Sequence, residues 1–139
     1  MTPRQKRRIR DTWLRLEGQT EDLTRQFYDR LFDTSPNARQ LFRNKDMRLQ
    51  GAALAQMLAL FVRSLDEDEP GIVAAAEASG RRHVGYGVRH SDYDGAGEAL
   101  IWAVQRTLGD EFTATDRAAW TEAYRSLAVM MRRASSGVL

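Results

Sequence analysis

Apolar residues recur along this chain about every three to four positions, and polar or glycine-containing stretches interrupt them at intervals. Thr2-Pro3 supplies a helix cap and a proline at the first helical position, and Gln5 completes a capping box. Ile9, Trp13 and Leu16 then share one face until Gly18 stops the helix. Thr20 can cap a second helix with Leu23, Phe27 and Leu31 inward. Ser35-Pro36 opens a short third helix through "NARQLF". Asp46 starts a longer one whose stripe is Met47, Leu54, Leu58, Phe61 and Leu65, ended by "DEDEP" at 66–70. An alanine-rich helix runs from Ile72 to His83 and stops at Gly85 and Gly87. Ser91 caps the next, with Tyr93, Leu100, Val104 and Leu108 inward and Gly109 at its end. Thr113 with Asp116 opens the last, lined by Trp120, Tyr124, Leu127 and Met131.

The pattern predicts about seven helices, with no strand alternation. The expectation is one all-α domain over residues 1–139, with residues 1–3 and 135–139 frayed. The 139 residues suffice for a core without disulfides or a structural metal. Cysteine is absent, which excludes a disulfide framework, a thiolate nucleophile, a zinc knuckle and a covalent C-x-x-C-H haem attachment. The formal charge is only +2, so the high pI of 9.3 reflects an arginine excess and is weak support for nucleic acid. The run "RQKRRIR" reads as a solvated helix face, because Ile9 and Trp13 turn the same helix inward. The basic N-terminus lacks the apolar stretch of a signal peptide, and no apolar run approaches the roughly 20 residues of a membrane span. These features predict a soluble cytoplasmic protein with neither a nucleic-acid nor a membrane partner.

Enzyme signatures are lacking: no phosphate-binding glycine loop, no nucleophile elbow, no helical zinc pair. The carboxylates read as scattered over polar faces. The stretch "GRRHVGYGV", residues 80–88, stands out because it carries His83, one of only two histidines. The other, His90, lies beyond that helix. Ala74, Ala75, Ala76 and Gly80 precede His83 and would let a flat partner lie close. A neutral imidazole at such a place suits haem iron, although a lone histidine is more often an ordinary surface or core residue.

Taken in order, Trp13, "FYDRLF", "SPNARQLF", "RRHVGYGV" and "LGDEFTATDRAAWTEAYRSLA" resemble a globin. The pattern is similar to single-domain bacterial haemoglobins and to the haem domain of flavohaemoglobins, from about Trp13 to Met131. The resemblance implies a globin fold with helices three-over-three around a pocket for non-covalent haem b. His83 matches the iron ligand, Phe42 the phenylalanine that wedges the haem, and Pro36 the proline opening the short third helix. Tyr28 matches the distal tyrosine, Gln50 the distal glutamine, Leu54 the leucine one turn on, and Tyr93 the proximal tyrosine. Phe27 and Met57 would help keep the pocket dry, Val88, Ala96 and Ile101 would line the proximal side, and Arg81 or Arg82 could pair with a propionate. Tyr28 and Gln50 could both donate hydrogen bonds to a diatomic ligand.

An ungapped count places Ala52 rather than Gln50 at the distal position. Gln50 is preferred because it brings Leu54, Leu58 and Phe61 into the matching apolar places. The flavohaemoglobin pattern also carries a glutamate on the last helix where this chain has Ser135, so strong imidazolate character at His83 is not expected. The implied function is reversible binding of O2, CO and NO, with nitric oxide dioxygenase activity if a separate reductase supplies electrons. The alternatives are a haem-based gas or redox sensor acting through a separate partner, or a haem-free globin-fold interaction domain.

Overall fold

The local signals at the helix starts are realised in a computed structural model, which describes residues 1–65, 71–85 and 92–137. The side chains of residues 71, 73, 83–85 and 134–137 lie outside that description. Among the described residues all regular structure is helical. The described residues form seven α-helices: α1 (Pro3–Leu16), α2 (Thr20–Thr34), α3 (Pro36–Leu41), α4 (Met47–Ser64), α5 (Gly71–Gly85), α6 (Asp92–Leu108) and α7 (Ala114–Gly137).

The starts of α1, α3, α4 and α7 each have a side-chain hydrogen-bond reason. Thr2 and Gln5 exchange side-chain-to-backbone bonds, at 3.1 and 2.9 Å. Ser35 Oγ accepts from the Ala38 amide, and Asp46 accepts from the amides of Arg48 and Leu49. Thr113 and Asp116 cap α7 reciprocally. Such bonds satisfy amides that a helix start leaves without partners. Gly109 ends α6 with φ +64°, a left-handed conformation open to glycine at little cost.

Three expectations need correction. α1 ends at Leu16, just before Gly18 as expected, but Thr20 does not cap α2. A single 3-10 turn, Glu17–Gln19, carries the chain directly into α2, of which Thr20 is the first residue. The α7 backbone stays helical to Gly137, beyond the point where fraying is expected. Nor does Gly80 leave room for a flat partner: α7 fills that space, with the Met131 backbone against it. The breaker "DEDEP" and the cap Ser91 lie outside the described residues.

The main packed pairs are α5 with α7, α2 with α6, α1 with α7 and α2 with α4. Ile9, Leu16, Leu23, Val104 and Trp120 are fully buried where these pairs meet. Their removal from water is the main source of stability. Two polar links tie the ends of the chain across this core. The Trp120 indole donates to Thr12 Oγ1 at 2.9 Å, and Arg8 Nε donates to Asp116 at 2.6 Å. Asp116 is fully buried, unlike the solvated carboxylates expected, and Arg8 leaves the supposed solvated face to meet it. Among the described residues no helix is long and apolar enough to cross a membrane.

Candidate functional site

Helices α2, α3, α4, α6 and α7 enclose an apolar cavity of about 150 Å³. Heptad-like spacing explains which side chains reach it. On α6, Tyr93, Ala96 and Leu100 lie three and four apart, so they share one face. On α4, Leu54, Met57 and Leu58 do the same. Phe42 closes the end of α3, while Tyr124, Leu127 and Met131 of α7 form the far wall. The cavity adjoins a more polar mouth of about 210 Å³, sharing Tyr28, Leu41, Phe42, Leu54, Met57 and Met131 with it. Gln50, Lys45, Ala53, Ser79 and Arg82 complete the mouth.

Of the residues the sequence singles out, Tyr28, Phe42, Leu54 and Met57 line both parts. Tyr93 and Ala96 line the apolar part, and Gln50 and Arg82 line the mouth. Phe27 also reaches the apolar part, as expected. Gln50 is half-buried at the mouth, whereas Ala52 is exposed and faces a different groove. Ile101 is a correction. It is buried, but toward the α6–α7 groove on the other side, and Leu100 takes the cleft position instead. One residue turns the helix by about 100°, which is enough to change faces.

Val88 and His90 lie outside the described residues, as does the His83 side chain. The α5 backbone continues to residue 83, four positions after Ser79, and Ser79 is buried at the mouth.

The distal corner is aromatic. Tyr28 packs edge-on to Phe27 and Phe42, at ring separations of 4.8 and 5.4 Å. Its hydroxyl lies 3.5 Å from the Gln50 carbonyl oxygen, at the outer limit of hydrogen bonding. Burial pushes the Tyr28 phenol up to about 12, so it stays a protonated donor at neutral pH. Across the cleft the Tyr124 hydroxyl donates to the Tyr93 carbonyl, and burial raises its pKa too. Sequence reading treats Tyr124 as plain core. Its spacing gives the face but not the hydroxyl's partner. The Arg132 guanidinium lies 5.2 Å from the centre of the Tyr93 ring.

An apolar slot with Lys45 and Arg82 at its mouth fits a flat apolar macrocycle that carries carboxylates on one edge. The walls offer dispersion contact, and the mouth offers opposite charge.

Comparison with known proteins gives the family and supports the fold. The globin family model matches residues 25–131. A flavohemoprotein of Bordetella pertussis is 32% identical over 118 residues, which are 84% of this chain and 29% of that protein. The chain thus spans less than a third of that relative's length. The solved structure of RmaNOD, an engineered carbene transferase and candidate nitric oxide dioxygenase from Rhodothermus marinus, superposes with a TM-score of 0.90 at 26% identity. It covers 99% of this chain and 95% of its own. A hexacoordinated heme protein from an anhydrobiotic tardigrade shares the fold, with a TM-score of 0.86 at 18% identity and coverage of 98% and 96%.

Proposed function

The chain belongs to the globin family, and from that premise we propose that its cleft holds non-covalent haem b for binding diatomic gases. His83 is the iron ligand in this reading, and Tyr28 with Gln50 faces the gas. The carrying observation is convergence: Tyr28, Phe42, Gln50, Leu54, Met57, Arg82, Tyr93 and Ala96 meet at one cleft from four helices and a helix end. Haem, when bound, supplies an iron coordination position that accepts O2, CO or NO.

The chain's own residues supply the rest. Phe42 and Leu54 press on the macrocycle and keep water out. Arg82 and Lys45 offer their charges to the propionates, an exposed pairing of modest strength. The Tyr28 hydroxyl needs only to exchange a long contact with the Gln50 carbonyl for a shorter bond to the gas. A donor in an apolar pocket slows release of dioxygen, which accepts a hydrogen bond once bound, more than release of carbon monoxide.

Oxidation of nitric oxide is an extension of this reading, supported by the flavohemoprotein relatives and the Rhodothermus scaffold. Nitric oxide, dioxygen and one electron balance to nitrate, and the electron would come from a reductase. The test is to load the protein with haem, reduce it and add carbon monoxide. A Soret band that shifts on addition supports gas binding. A haem-loaded protein whose spectrum ignores carbon monoxide would contradict it.

A further inference from the structure

Among the described residues, Tyr28 alone lines the apolar cavity, its mouth and a third space of about 570 Å³. This third space is an open groove between α2 and α4. Its inner end is made by Thr24, Gly51 and Ala55, with Tyr28 behind them, and its rim by charged residues including Arg25 and Arg48. Gly51 allows the two helices to approach here: a β-carbon on it would stand 2.7 Å from Thr24 Oγ1. The Thr24 hydroxyl donates back to its own helix, to the Thr20 carbonyl at 2.9 Å. The groove's inner end therefore offers small side chains and a hydroxyl already engaged.

We propose that the α2–α4 groove is the route by which diatomic gases reach the cleft, with the Tyr28 ring as the wall they pass. This rests on the haem-binding reading of the cleft. In that reading the other opening, between Gln50, Lys45 and Arg82, is the one the propionate edge of the macrocycle covers. Among the described residues the groove shares only Tyr28 with that opening, so the macrocycle's edge leaves it clear. A small apolar gas needs no polar partner on the way in, so a seam of alanine, glycine and a satisfied threonine costs it little. Tyr28 is suited to yield. Its ring packs against Phe27 and Phe42 and, on the groove's lining, Phe32 at 5.9 Å, while among the described residues its hydroxyl has only the 3.5 Å contact to Gln50. The residue that would hold the bound gas would thus also admit it.

Filling the groove without touching the cleft separates these roles. Ala55 is half-buried in the groove and Ala52 is exposed on it, and neither lines the cleft or its mouth. Carbon monoxide association and dissociation would be timed in ferrous, haem-loaded wild type, Ala55→Phe and Ala52→Leu, with the Soret band checked first. The proposal expects Ala55→Phe to slow both rates several-fold by a common factor, leaving the equilibrium affinity unchanged. Ala52→Leu, tolerated at an exposed position, should shift both rates the same way by less. Unchanged rates in both variants would overturn the route. So would slower association with unaltered dissociation, which would mean a changed cleft rather than a changed path. A missing Soret band in wild type is a different failure: it contradicts the haem reading and removes the route with it.

Discussion

Gly80 stands directly against the backbone of Met131. A β-carbon at residue 80 would lie 2.3 Å from the Met131 carbonyl oxygen, so α5 and α7 meet there with no side chain between them. Residue 83 follows one turn later on α5, so its position relative to the cleft depends on this contact. Gly80→Ala should push the helices apart, costing about 1–3 kcal/mol of stability as an overpacked core does. Thermal unfolding checks the cost, and haem titration should show weaker binding. Unchanged stability would mean that α5 shifts without penalty.

Thr12 accepts the Trp120 indole hydrogen in the core, at 2.9 Å. Thr12→Val keeps the shape but strands a buried N–H, at a cost of about 1–3 kcal/mol. Thr12→Ser retains the acceptor and should lose less. Denaturant unfolding of the two variants distinguishes the bond from packing.

Asp116 gives the fold a pH dependence. Burial pushes its carboxyl up, but the Arg8 hydrogen bond, the two bonds with Thr113 and the Arg8 charge together hold it below its ordinary value. The unfolded chain therefore binds the proton more readily, and stability rises with pH through this window. The contribution is complete above the ordinary carboxylate value of about 4 and is lost as pH falls through the lower folded value. Asp116→Asn should flatten the acid limb of the stability profile and lower stability at neutral pH. An acid limb identical to wild type would remove Asp116 from the account.

Tyr28→Phe tests the donor assigned to the gas. The phenol is protonated at neutral pH, so deleting it removes one hydrogen bond, worth about 1–1.5 kcal/mol. Dioxygen release should accelerate about tenfold, the equivalent of that energy, while carbon monoxide release changes less. Equal effects on both gases would point to altered packing among Phe27, Phe42 and the phenyl ring.

The elements legible in the sequence are those whose cause is local. Thr2 with Gln5, Ser35 with Pro36, Asp46, and Thr113 with Asp116 each announce a helix start within four residues, and each is found there. The cleft is legible by another route. Phe42, Gln50 and Tyr93 are identified by their order in a globin-like pattern, not by any property of their own. What could not be read joins distant residues. Arg8 and Asp116 are 108 positions apart: in the sequence Arg8 looks like one more surface charge and Asp116 like a local cap residue, and nothing there pairs them. Gly80 reads as room for a flat partner and Gly51 carries no signal of its own, yet they are where Met131 and Thr24 come closest. Ile101 failed for a smaller reason. Adjacent helical residues point about 100° apart, and a pattern match cannot choose between Leu100 and Ile101 without the packing partner.

The most direct test of the central claim is a haem titration of wild type and His83→Ala, followed by absorbance in the ferric and dithionite-reduced states. The account predicts a stoichiometric Soret band in wild type that is lost or shifted when His83 is replaced. A His83→Ala spectrum identical to wild type, or no Soret band in either protein, would contradict it.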